Sequence, residues 1–207
     1  MNLSELTFTS QTQSRRDLSI SYLGGVALSA KLTHSLSVNV ATYGVYLAPA
    51  DISGYNVCPN NKHCRAHCFF TSGHNMLAIL AGKNSINESR AKKTRLFFEN
   101  NELFMQLLIT EIAFNKLKYE GLGYHFAVRL NCTSDINIAD FNFKGKNITE
   151  IFPTVTFYDY TKVFSYLTNK VKYPNLDYTY SYNGHNWDLC QSALKKNTRV
   201  AIVFSNV

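Results

Sequence analysis

The 207-residue chain has no run of about 18 apolar residues, so no membrane-crossing helix is expected. Its first residues, MNLSELTFTS, lack the basic start and apolar core of a secretory signal, which predicts a cytoplasmic protein. Glycine and proline are scarce, at 10 and 4 residues, and exclude collagen-like and linker-rich designs. Cysteine is scarce and odd in number: five residues without an export signal argue against a disulfide framework. Three methionines and one tryptophan leave 13 tyrosines and 14 phenylalanines to fill the interior. With 45% hydrophobic and 17% charged residues, the chain is too apolar for wholesale disorder and has the length of a single domain, 1–207. The phosphate-binding loop G-x-x-x-x-G-K-[ST], the dinucleotide fingerprint G-x-G-x-x-G, the zinc-protease H-E-x-x-H and the hydrolase elbow G-x-S-x-G are all missing. Those four chemistries are therefore unsupported.

Charge is the first positive signal. Lys and Arg number 21 against 14 acids, a formal +7, which suits a polyanionic partner such as nucleic acid or a phosphorylated substrate. Lys83, Arg90, Lys92, Lys93 and Arg95 cluster in one expected helix. That helix can track a phosphate backbone, or it can be a solvated face.

Hydrophobic periodicity alternates between strand and helix. Residues 1–18 read as a polar arm. Residues 35–47 (SLSVNVATYGVYL) read as a strand or hairpin, and residues 48–74 as a long loop with the cysteines. Helices are expected at 76–80, 85–98 and 103–117, the last ended by Gly121 and Gly123. Strands then fall at 125–131, 154–160, 176–182 and 199–204, with helical stretches at 161–170 and 186–196. This succession predicts an α/β domain with a mainly parallel, incomplete barrel-like sheet.

Parallel sheets gather their sites at the carboxyl ends of the strands. Asn131, Thr133, Ser134 and Asp135 should share one rim with Asp159, Tyr160, Thr161, Lys162, Ser181, Asn183, Ser205 and Asn206, and the loop after the first strand should bring Cys58, Cys64 and Cys68 to it. Asp135 is a candidate general base or hydrogen-bond acceptor, with a local capping role as the structural alternative. Lys162 is a candidate for binding phosphate or carboxylate. Arg129 can meet an anion or pair with Asp135 or Asp159. Asn131, Ser134, Tyr160 and Ser181 complete the candidate ligand-binding set. His185 beside Trp187 can stack on a ring or pack a helix start.

Cys58, Cys64 and Cys68 fall within eleven residues as C-x5-C-x3-C. Thiolates favour zinc or iron–sulfur clusters. One reading is a [4Fe–4S] cluster with one iron left open or held by a further ligand. Three-cysteine loops after the first barrel strand occur in radical-SAM enzymes, but those show C-x3-C-x2-C. A second reading is zinc with His63, His67 or His74 as fourth ligand, although the C-x2-C pairs of strong zinc sites are missing. The third is three inert thiols. Cys132 and Cys190 stand apart, and Cys190 is expected in the core.

Several segments together resemble a known family. TYGVYLAPADISGYNVCP with the cysteines that follow it, RAKKTRLFF, RLNCTSD, FYDYTK and RVAIVF lie in order along residues 40–205. They resemble the gene product 88 family of small bacteriophage proteins. The resemblance implies a phage protein, expected in the host cytoplasm, and the partial sheet read from the strand succession is expected to be like a truncated radical-SAM barrel. It also implies an iron–sulfur site whose three cysteines map onto Cys58, Cys64 and Cys68. The family pattern has a small residue in place of Cys132, which therefore gains no ligand role, and it continues past the point where this chain stops. Two functions follow as expectations. The first is an iron–sulfur protein, redox-active or cluster-dependent, that takes a small molecule or host factor at the open iron, with Asp135 and Lys162 handling protons or anions. The second is a non-enzymatic module that binds host protein or nucleic acid around a structural metal.

Overall fold

The computed structural model describes residues 19–63, Cys68 and residues 85–203. The polar arm, Cys64, His67, His74, the expected helix at 76–80, Lys83 and residues 204–207 lie outside the described residues.

The chain enters through β1 (Gly24–Val26), α1 (Ala30–Leu36) and β2 (Val40–Val45), and the helices α2 (Ser85–Glu99) and α3 (Asn101–Gly121) follow the cysteine loop. After β3 (His125–Arg129) comes a small hairpin, β4 (Asn142–Phe143) and β5 (Lys146–Asn147), and the short α4 (Ile148–Ile151). Then come β6 (Thr156–Thr161), α5 (Asn169–Lys172), β7 (Leu176–Ser181), α6 (Trp187–Lys195) and β8 (Val200–Ala201). The main sheet has the order β1-β2-β3-β6-β7-β8. Only β1 is antiparallel to its neighbour, so the sheet is mixed and mostly parallel, an α/β arrangement as expected. Its parallel strands follow one another in chain order, without the reversal of a doubly wound sheet.

Register separates two faces. Tyr43, Val128, Phe157 and Leu176 form one row across four strands. Alternation then puts Thr42, Gly44, Ala127, Arg129, Tyr158, Tyr160, Thr179 and Ser181 on the other face. The first face is the core, where Phe97, Phe104 and Phe141 pack ring on ring beneath α2 and α3. Helix α3 starts where the Asn100 side chain accepts the Leu103 N–H, and it ends before Gly123, whose φ of 86° favours glycine. Its Glu111 is buried and joins three elements. The carboxylate accepts N–H groups of Leu23 (2.9 Å) and Gly24 (3.2 Å) and the Tyr43 hydroxyl (2.5 Å). That holds edge strand β1 against β2 and α3. Burial pushes the Glu111 carboxyl up, and the three donors oppose the shift.

Several expected boundaries shift. Residues 35 and 36 end α1, and Asn39 takes a positive φ of 60° before β2 begins at Val40. Alternation of small and polar residues there imitates a strand. The expected helix at 161–170 is a 3₁₀ segment, Phe164–Thr168, followed by α5. The last strand is confined to Val200–Ala201 among the described residues. β1 and α1 carried no clear period and were not anticipated. Cys190 is fully buried, as expected.

Gly44 shows why the second face is closed at β2. A Cβ there would stand 2.5 Å from Leu32 Cδ1 and 2.8 Å from Cys132 Sγ. Helix α1 therefore lies directly on this glycine. We expect Gly44→Ala to destabilise the protein by about 1–3 kcal/mol through overpacking. Gly121→Ala, in open space at the end of α3, should be neutral or stabilising. Urea unfolding of both variants checks this, and a Gly44→Ala midpoint equal to wild type would refute the packing.

Candidate functional site

Beyond the last ladder bonds, the carboxyl ends of the parallel strands leave backbone groups that need partners. Side chains of the rim supply them. Asp159 is buried, and its two oxygens accept the Asn131 N–H (2.7 Å) and the Tyr160 N–H (3.1 Å). It also pairs with Arg129 Nε at 3.3 Å, one of the two partners foreseen for Arg129. Burial pushes the Asp159 carboxyl up to about 6, against the pull of Arg129 and the backbone donors. Asp135 Oδ2 accepts the Lys162 N–H at 2.8 Å, so the two candidates are neighbours through the backbone. Burial also raises the Asp135 carboxyl.

The other predicted residues are placed as follows. The Asn131 amide is spent inside its own loop: its oxygen accepts Ser134 Oγ (2.8 Å) and the Ile136 N–H (3.0 Å), and its nitrogen donates to the Ile136 carbonyl (2.9 Å). Asn131 and Ser134 thus shape the turn. Thr161 Oγ1 accepts the Val163 N–H at 2.9 Å and starts the 3₁₀ segment. Tyr160 is 42% exposed, and the Arg129 guanidinium lies 4.9 Å from its ring centre. Ser181 is half-buried, and its carbonyl accepts the Asn186 side chain. Trp187 packs edge-on against Tyr182 at the start of α6, the structural alternative for it.

The cysteine loop is strapped across this rim. Thr133 Oγ1 donates to the Leu47 carbonyl (2.6 Å), and the Asp135 N–H donates to the Val57 carbonyl (2.8 Å). Asn60 Nδ2 donates to the Lys162 carbonyl (2.8 Å), and the His63 ring lies 4.1 Å from that of His185. The loop therefore touches the ends of β3, β6 and β7 in succession. Cys58 is half-buried in an Asx turn, its N–H bonded to Asn56 Oδ1 at 2.9 Å, and its Sγ accepts the Ala50 N–H at 3.5 Å. Cys68 is half-buried and within electrostatic reach of Arg90. Among the described residues no three His, Cys, Asp or Glu side chains converge closely enough to hold a metal, and Cys64 lies outside them.

Sequence reasoning missed Tyr46 and Gly44, and it left Arg90 as part of a basic helix. Arg90 is half-buried, with its guanidinium 5.6 Å from the Tyr46 ring centre. The Tyr46 hydroxyl donates to Ser29 Oγ at 2.8 Å. Burial pushes the Tyr46 phenol and the Cys132 thiol each up to about 12. A glycine inside the strand TYGVY was the available signal for close approach there. The segment from Ile52 to Arg95 holds Lys62, Arg65, Lys83, Arg90, Lys92, Lys93 and Arg95 against Glu88 alone. Most of this excess lies between Lys83 and Arg95, and the cysteine loop itself adds Lys62 and Arg65. No helix among the described residues is long and apolar enough to cross a membrane.

A model of the gene product 88 family matches residues 6–207, and the chain belongs to that family. No curated protein and no solved structure matches it.

Asp159 gives a pH prediction. Its folded pKa lies above the ordinary carboxyl value of 3.8, so the native state holds a proton that the unfolded chain has released between about pH 4 and 6. The stability contributed by this group falls as pH rises through that window and is level above it. Carbon NMR of the Asp159 carboxyl should show a midpoint near 6, and Asp159→Asn should lose this part of the pH–stability profile. A midpoint near 4 would refute the placement.

Proposed function

We propose that this gene product 88 protein is a phage-encoded iron–sulfur protein of the host cytoplasm, with Cys58, Cys64 and Cys68 as the protein ligands of a [4Fe–4S] cluster. One observation carries the reading: the cysteine loop is fastened at several points over the carboxyl ends of three parallel strands, where α/β folds work. The donor set fits the group. Cys58 receives a backbone N–H on its sulfur, Cys68 is within electrostatic reach of the Arg90 guanidinium, and the surrounding segment is basic. Thiolate ligands carry negative charge, which such an environment favours.

The strand order supports a partial barrel. Parallel strands that follow in chain order with right-handed crossovers put their helices on one face. The opposite face, with Thr42, Arg129, Tyr158 and Tyr160, is then the inner one; it is polar, and α1 closes it at Gly44. When bound, a cluster held by three cysteines supplies an electron-transfer centre with one iron open to a small-molecule ligand or host factor. The chain's own groups hold the surroundings. Asp135 is a positioning residue, fixing the turn that carries Lys162, and the Lys162 ammonium is the group we assign to an anion at the rim.

A second reading keeps the metal structural, cluster or zinc, and makes the protein a nucleic-acid or host-protein binder. The exposed Lys62 and Lys92 on the basic segment favour it. Binding of oligonucleotides that weakens steeply with salt would select it.

We expect Cys64→Ala and Cys68→Ala to lose the metal, while Cys190→Ala, in the core, keeps it. Elemental analysis of anaerobically purified variants checks this. Equal metal content in all three would overturn the ligand assignment.

A further inference from the structure

We propose that His185, Trp187 and His63 form a stacking platform for the bases of a single-stranded nucleic acid at the rim end of β7, with Lys62 beside it for the phosphates. The inference rests on the nucleic-acid branch of the second reading above and needs no metal. Two contacts bring the rings together. The His63 ring, from the loop after β2, lies 4.1 Å from the His185 ring at an interplanar angle of 33°. Trp187, two residues beyond His185, packs edge-on against Tyr182 at 5.9 Å.

The turn from Tyr182 to Trp187 is held by its own polar atoms. The Tyr182 hydroxyl donates to the Gly184 carbonyl (3.1 Å), the His185 N–H to Asn183 Oδ1 (3.0 Å) and the Asn183 N–H to Asn186 Oδ1 (2.9 Å). Asn186 Nδ2 donates to the Ser181 carbonyl (3.1 Å) and the Tyr180 hydroxyl (3.2 Å), which ties the turn to β7. Gly184 supplies the positive φ of 91° that the turn requires. On this frame His63 and His185 are exposed, and Trp187 is 47% exposed. A tryptophan left half in water forgoes burial that would stabilise the fold. A fixed, exposed ring is what stacking on a base requires.

The charges near the rings suit a phosphate backbone. Lys62 is exposed and adjoins His63. Asn60, two residues earlier, binds the Lys162 carbonyl at 2.8 Å, so half-buried Lys162 stands on the adjoining turn. Asp188 is the single acid between Tyr182 and Cys190, and the sequence has no Asp or Glu between Asp51 and Glu88. Aromatic faces accept any base, and phosphate contacts make binding salt-dependent. A duplex keeps its bases inside the stack and offers none to the platform.

Trp187 is the only tryptophan in the chain, so its emission reports on the platform directly. The test titrates the full chain with an oligothymidylate of about 12 nucleotides, with the same strand paired into a duplex, and with thymidine monophosphate. Trp187 emission and the anisotropy of a labelled strand are followed together. We expect saturable quenching by the single strand that weakens with salt, and binding of duplex and mononucleotide weaker by about tenfold or more. His185→Ala should weaken strand binding about tenfold, the loss expected for one base–ring stack. His125→Ala, exposed at the opposite end of the parallel strands, should bind as wild type. Strand binding seen by anisotropy with Trp187 emission unchanged would overturn the platform and leave nucleic-acid binding to the basic segment. So would His185→Ala binding as tightly as wild type. No salt-sensitive binding of the strand would overturn both the platform and the nucleic-acid reading. Equal affinity for the mononucleotide would overturn the strand as the occupant. If His185→Ala fails to fold, the wild-type emission and Trp187→Phe, read by anisotropy, decide between these outcomes.

Discussion

Parallel strands that all end on one side create a shared demand: backbone groups past the last ladder bond must find partners without a neighbouring strand. In this protein two carboxylates answer it. Asp159 closes the gap between the ends of β3 and β6, and Asp135 ties the loop after β3 to the turn after β6. Burial raises the pKa of each, and backbone donors hold each in place. The rim is thereby a fixed surface, and the described start of the loop after β2, from Leu47 to His63, rests on it.

That dependence explains why so few rim side chains are available for ligand chemistry. Asn131, Ser134 and Thr161 spend their polar atoms on turns. Asp135 acts through the backbone. The groups left over are the Arg129–Tyr160 pair, half-buried Lys162 and the half-buried guanidinium of Arg90. All are cationic or aromatic, and Cys68 is within electrostatic reach of Arg90. The electrostatics of the site therefore favour anions, whether thiolate-bound metal or a small oxyanion.

Much of the framework was legible in the sequence. The long periodic α3, the alternating β7 and the apolar β3 announce themselves, and the rim follows from parallel topology. Legibility failed where small or polar residues make short elements, as in β1 and α1, which are fixed by Glu111 and by the contact of Leu32 with Gly44 rather than by their own period. It failed again at the site, for a different reason. A polar residue at a strand end looks alike whether it binds a ligand or completes a turn, and only the hydrogen-bond partners of Asn131, Ser134 and Asp135 separate the two. The inward turn of Arg90 depends on Tyr46, which lies 44 positions away in the chain.

The most direct test of a thiolate-held cluster over this rim is a count of iron, acid-labile sulfide and zinc per chain on protein purified without oxygen, with an absorption spectrum of the same sample. The account predicts about four irons and about four sulfides, with a broad band near ~400 nm that bleaches on reduction. About one zinc per chain and no sulfide would contradict it and make the loop a structural clip.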